Sequence, residues 1–358
     1  MSRIFLMLAV SCLLLTGCAN QQILDRITLF IVCAFDEAQN DQIEITLATT
    51  RFQTGKPGSI SNQLLSKVGH TSVGIIELMN TRMDKPLNAG KLSVVLIGTD
   101  LAAKGVRNEL DMVLRDAQAS RRMYLAVVDG NAKEVLRKNF SSDEEKGLYL
   151  YNLLDMNERN KLVPSQNLHE FGYAYLGKGM DPYLPMLQIK DDHIYIAGLA
   201  LFKDDKYVAK LNEKQMRVMK LLKENVKHGA LETKLNNGTY VAVEVIGSKV
   251  RFRIEKDTEG SNVSLNLRLK ARIVDSKAVT LTRQMIKKIE TSFEKDLIDS
   301  GTELIEKFQK EGIDPLGLGD FVRSKTRNWN EEEWKKEYSS LNVKIKVKMD
   351  IEETGITK

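Results

Sequence analysis

Cys18 is the residue whose chemistry is written most directly into its neighbourhood. It follows Leu15-Thr16-Gly17, behind an apolar run from Ile4 to Leu15 that is too short to span a membrane, and Arg3 precedes that run. Charge, apolar run and small residues before a cysteine are the order of a lipoprotein signal peptide. Such a leader, residues 1–17, is removed, the thiol is diacylated, and acyl chains hold the protein on the outer face of a bacterial cytoplasmic membrane. The alternative is an ordinary secretory leader with an incidental cysteine, which would leave the protein unattached.

The other residues able to do chemistry are scattered. His70, His169, His193 and His228 lack a metal-ligand spacing such as His-Glu-x-x-His. The chain has no Gly-x-Ser-x-Gly elbow, no phosphate-binding glycine loop and no Cys-x-x-Cys pair. Cys12 leaves with the leader and Cys18 is modified, so Cys33, in the apolar run Ile27 to Phe35, has no partner for a disulfide and reads as a small core residue. His169-Glu170 could form an acid/base pair only with a positioned third group, which the sequence does not supply, so chance adjacency is preferred. Neither catalysis nor a cofactor or metal is expected.

One charged cluster stands out: Arg107, Asp111, Arg115, Asp116, Arg121 and Arg122. Asp111 and Arg115 are four apart and can pair on one helical face. An intramolecular network fixing the connection between strands is favoured over a partner-docking surface. The chain's 53 basic and 48 acidic residues give a net charge of +5, a mixed surface that argues against a nucleic-acid partner. After Cys18 no stretch reaches the roughly 18 apolar residues of a membrane span, so acyl chains are the expected attachment. Lysines close to the membrane would add attraction to anionic headgroups.

The elements that must hold these groups are set by periodicity. Ile27 to Phe35 and Gln42 to Arg51 read as a hairpin, and Ser61 to Met79 has mixed helical spacing. Lys91 to Gly98 and Met123 to Val128 are apolar strands. Helical patterns succeed them at Leu101 to Gly105, Val106 to Arg115 and Ala132 to Leu136, an order that argues parallel pairing in an α/β domain. Pro164 to Pro185 reads as a loop and a boundary. Ile194 to Phe202 and Lys206 to Leu211 flank a Lys203-Asp204-Asp205 turn, and Asn212 starts a helix through about Lys227.

Thr239 to Ile246, Ser248 to Glu255 and Val263 to Val274 read as three strands, with Val250, Phe252 and Ile254 inward and Arg251, Arg253 and Glu255 outward. A long helix from about Leu281 to Lys310 covers them, with Leu281, Met285, Ile289, Phe293, Leu297, Leu304 and Phe308 on its apolar stripe. Asp314-Pro315-Leu316-Gly317-Leu318-Gly319 is a turn that cannot continue a helix. A helix from Gly319 to Tyr338 and a strand from Asn342 to Ile351 complete the chain. The expected fold is a mixed α/β, or α+β, multidomain chain: an N-terminal α/β domain over 18–184, a small middle domain over 185–227 and an antiparallel sheet with its long helix over 228–358.

Taken in order, several motifs resemble the C-subunit family of spore germinant receptors, the GerAC-like or Ger(x)C lipoproteins. They are the lipobox at Cys18, the segment Leu87 to Leu136 with Gly90, Gly105, Asp111, Arg115-Asp116, Arg121 and Gly130, the run Gly198 to Lys206, and Asp314 to Gly319 with Trp329, Trp334 and Thr354-Gly355. The chain departs from the family pattern at Ala19-Asn20-Gln21-Gln22, Lys91 and Ala209, as a divergent paralogue would. The resemblance implies a lipid-anchored subunit on the outer surface of the spore inner membrane, assembled with two integral membrane subunits into a receptor for small nutrient germinants. It further implies three domains and no catalytic activity. A solute-binding lipoprotein of a transporter is the alternative, and it expects two similar α/β lobes around a cleft.

Overall fold

Two short runs with almost no polar side chains, Val94–Gly98 and Tyr124–Val128, are buried at every residue, as central parallel strands covered on both faces must be. A computed structural model of the chain describes residues 26–52, 60–115, 119–138, 145–160, 163–236, 238–257, 260–276 and 280–354. Strands β1 (Thr28–Glu37), β2 (Ile43–Phe52), β3 (Ile60–Gly69), β4 (Leu87–Asn88), β5 (Val94–Gly98), β6 (Tyr124–Val128), β7 (Tyr183–Lys190), β8 (His193–Lys203) and β9 (Lys206–Asn212) form one nine-stranded sheet. Its order is β3-β2-β1-β5-β6-β7-β8-β9, with β4 beside β1. β1, β5, β6 and β7 run parallel, and antiparallel hairpins extend the sheet on both sides.

Alternation sorts the central strands onto two faces. Val95, Ile97, Leu125 and Val127 pack with helices α1 (Ser72–Asn80), α2 (Thr99–Lys104), α3 (Arg107–Arg115) and α6 (Leu168–Leu176). Val94, Leu96, Tyr124 and Ala126 face α4 (Ala132–Arg137) and α5 (Lys146–Asn160). The expected β1-β2 hairpin is present, in the register Cys33↔Leu47 and Phe35↔Ile45.

Three expectations in this half are corrected. Residues 60–69 form strand β3 on the free edge of β2, and the helix begins only after Thr71, whose side chain accepts from the Gly74 amide. β3 carries polar residues because it is an edge strand, which blurs its period. The segment expected as a loop before Pro185 holds α6, whose first amides, His169 and Glu170, donate to the Asn167 side chain. Residues 185–227, expected as a small middle domain, supply most of β7, all of β8 and β9, and α7 (Glu213–Lys223), which is capped by Asn212 and Gln215. The polypeptide thus passes residue 184 without leaving the nine-stranded sheet.

The second sheet has the order β10 (Ala230–Lys234), β11 (Tyr240–Asp257), β12 (Gly260–Asp275), β13 (Val343–Thr354), and its last pair is parallel. The two strands expected on either side of Gly247 are one long strand, because a register shift between Val245 and Gly247 absorbs the irregularity as a bulge instead of a turn. Helix α8 (Arg283–Glu311) lies across one face and buries Ile289, Phe293, Leu297, Leu304 and Phe308 of the expected stripe, whereas Met285 is only partly buried and Leu281 precedes the helix. It ends at Gly312 with φ 65°, in the left-handed region that glycine tolerates. The helix expected from Gly319 to Tyr338 is two, α9 (Leu318–Lys325) and α10 (Glu331–Tyr338), parted at Asn328 with φ 61° and restarted by the Asn330 cap.

One core cluster runs from Val32 and Leu96 through Met219 and Leu222 to Leu267 and Phe293, so α7 joins the two sheets through apolar contact. The sheets differ in size and pairing, which is not the pair of similar lobes that a solute-binding protein would present.

Candidate functional site

A dense set of polar interactions between the two sheets centres on the turn 314–319, apart from links such as Lys307 donating to the Lys210 carbonyl and Lys214 to Asp296. Asp314 is buried, and its carboxylate accepts from the Gly317 amide at 2.9 Å and the Gly319 amide at 2.7 Å, closing the turn on itself. Gly317, with φ 75°, makes that reversal without strain. The turn is clamped to the loop before β7. The Asp314 amide donates to Asp181 Oδ2 at 2.7 Å, the Asp181 amide donates to the Asp314 carbonyl at 3.0 Å, and the Asp320 amide donates to the Gly179 carbonyl at 2.7 Å. A Cβ on Gly179 would stand 2.5 Å from the Gly319 carbonyl carbon, so only glycine permits this approach. Lys223 at the end of α7 donates to the Pro315 carbonyl at 2.8 Å and lies 5.4 Å from the centre of the Tyr183 ring.

A cavity of about 240 Å³ sits at this junction, lined by Asp181, Lys203, Asp204, Asp314, Trp334 and Tyr338 among others. Burial dominates its electrostatics. It pushes the Asp314 carboxyl up to about 7, helped by Asp181 and opposed by the amide donors and by Lys223. It also raises Asp181 and lowers the Lys223 ammonium. Its amide partners make the Asp314 carboxyl the clasp that holds the turn.

The residues singled out in the sequence are dispersed. Arg115 Nε donates to Asp111 Oδ2 at 2.7 Å, and their side chains are 79% and 51% exposed, so the expected pair forms on the surface of α3. Arg121 is exposed at the entry to β6, and its carbonyl accepts from the His169 amide at 3.1 Å. Cys18 and Asp116 lie outside the described residues. The His169 ring is exposed, whereas Glu170 is half-buried and receives the Ser165 hydroxyl at 3.3 Å. Burial, with Glu158 and Glu224 nearby, raises the Glu170 carboxyl. Cys33 is fully buried and burial pushes its thiol up, as a core residue requires. Among the described residues no group of three or more His, Cys, Asp or Glu is placed to hold a metal.

Sequence reasoning found the turn at Asp314 but missed Asp181 and Lys223 as its partners. Asp181 lies 133 residues away, and no local pattern links the two segments. The nearest signal was the density of glycine and proline on both sides.

Comparison with known proteins gives a full-length likeness. Residues 20–189 match the family model described as spore germination protein N-terminal domain, and residues 197–355 match the spore germination B3/GerAC-like C-terminal model. The spore germination protein GerQC of Bacillus cereus is 30% identical over 99% of this chain and 98% of its own length. Spore germination protein B3 of Bacillus subtilis (strain 168) is 22% identical over 98% of this chain and 96% of its own length. The crystal structure of the GerBC protein superposes with a TM-score of 0.63 at 19% identity, covering 90% of this chain and 97% of that one.

Proposed function

Because this chain belongs to the GerAC-like family of spore germination proteins, the C subunits of germinant receptors, we propose that it acts as a lipid-anchored, non-catalytic subunit that supports assembly and stability of such a receptor. Its anchor is the acylated Cys18, its site is the outer face of the spore inner membrane, and its partners are two integral membrane subunits. The observation that carries this reading is the match to GerQC, which runs over 99% of this chain and 98% of that protein's length. The junction agrees with it, since Asp314, Asp181 and Lys223 are engaged with main-chain groups and join the two sheets. No helix among the described residues is long and apolar enough to cross a membrane, and in this reading the acyl chains on Cys18 hold the protein there.

Replacing the thiol tests the anchor. Cys18→Ala is expected to move the protein from the membrane fraction of spores to the soluble fraction and to slow germination. Full membrane retention of that variant would remove the anchoring claim.

A further inference from the structure

The face of the second sheet turned away from α8 is an ordered array of cations. The registers of β11, β12 and β13 place Lys249 opposite Arg268 and Arg268 opposite Lys348. The next rows set Arg251 across Asn266 from Lys346, and Arg253 across Ser264 from Lys344. All seven basic residues are exposed, while the alternate positions Leu265, Leu267 and Leu269 are buried beneath them. One acidic group reaches into the array: the Glu255 carboxylate bonds the Ser264 side chain and lies 3.6 Å from Lys346. The others lie at its margins, where Glu294 of α8 is 3.5 Å from Lys348, Lys270 pairs with Glu352, Arg272 bonds Glu244, and Asp350 is exposed beside Lys270. No acidic residue occupies the three central rows. Like charges directly opposite one another destabilise a sheet, so this arrangement is relieved by an anionic surface laid against it.

We propose that this face of the second sheet docks on anionic phospholipid headgroups. The shape fits: a sheet face spreads its side chains about 6.8 Å apart along a strand and about 4.8 Å between strands, presenting many charges to one plane. Docking of this kind rests on the acyl anchor proposed for Cys18, which supplies the surface. The eight residues from Cys18 to Arg26 reach at most about 28 Å, so an acylated Cys18 keeps the folded body beside the bilayer. The attraction acts within a Debye length, so it sets the tilt of the subunit on the membrane and is lost in high salt.

The test uses the full acylated chain, reconstituted on vesicles of phosphatidylcholine alone or of equal phosphatidylcholine and phosphatidylglycerol. Acetylation of individual lysines is read by mass spectrometry. Lys249, Lys344 and Lys346 are expected to be protected several-fold on the anionic vesicles only, whereas Lys67 and Lys190 on the other sheet label equally on both. About 1 M salt, which shortens screening to about 3 Å, should remove the protection. Arg251→Glu with Arg253→Glu should remove it too, with the circular dichroism spectrum unchanged. Free inorganic phosphate without vesicles should protect nothing. Equal labelling on both kinds of vesicle overturns the proposal. So does protection seen in neutral lipid only when the membrane subunits are present, which would assign the face to a protein. Flotation with neutral vesicles reports the Cys18 anchor separately, so its failure is distinguishable from failure of the docking face.

Discussion

Asp314 titrates where few carboxyls do, and the cause is geometric: burial at the junction, with Asp181 beside it, raises it against the amide donors on both its oxygens. Its folded pKa of about 7 lies above the ordinary carboxylate range of about 3.9. The fold therefore binds this proton more tightly than the unfolded chain does. The resulting stability is fully present at pH below the unfolded value and is lost as pH rises through about 7. Thermal melts between pH 5 and pH 8 should show a falling midpoint, and Asp314→Asn should flatten that slope; a slope unchanged in the variant would assign it to other groups. The surface pair behaves differently. Arg115 and Asp111 are solvated, and exposed ion pairs contribute little. Arg115→Glu is expected to lower the melting temperature only slightly. Unchanged stability combined with lost subunit association would instead make this pair part of a docking surface. At this scale the sequence was legible where chemistry is local, as at the Asp111–Arg115 spacing and the Asn212 cap, and silent where a carboxylate serves a distant turn. Asp36 repeats that silence: its oxygens accept from the Ala132 and Lys133 amides at 2.6 and 2.9 Å, 96 and 97 residues away.

Among the elements, the long helix and its sheet were readable because each buries one stripe or one face against its own neighbour. Phe293 lies at the centre of that contact and is 1% exposed. Phe293→Ala is expected to cost about 3–5 kcal/mol in a urea unfolding series, the range for emptying a buried aromatic site. The β8-β9 hairpin was equally plain, but its requirement at Gly198 was not. This residue has φ 145°, and a Cβ there would overlap the Leu211 carbonyl oxygen. Gly198→Ala should therefore destabilise by more than about 1 kcal/mol, measured in the same way. Elements whose identity depends on a partner were misread. β3 is a strand because β2 offers it an edge, and β11 runs through Gly247 because β12 continues alongside it. Helices α9 and α10 are separate because Asn328 adopts positive φ and Asn330 caps the second of them. A period read along one chain segment carries none of that information.

For the molecule as a whole, two unlike sheets are fused by a shared apolar core and by a turn whose polar groups are used up in holding it. A body of this kind suits the role we propose, an assembly subunit held at a membrane, for which the cationic face of the second sheet would be the second point of contact. Mixed charge, the absence of a long apolar span after Cys18 and the order of motifs were visible in the sequence because they are sums over the chain. The way β7, β8 and β9 complete the first sheet was not, since a boundary read from glycine and proline cannot distinguish a linker from a loop between paired strands. The most direct test of the central claim is to solubilise spore inner membranes in detergent and purify a tagged version of this protein. Co-purification of two polytopic receptor subunits, identified by mass spectrometry, is the expected result; recovery of the chain alone, or together with a transporter, would contradict it.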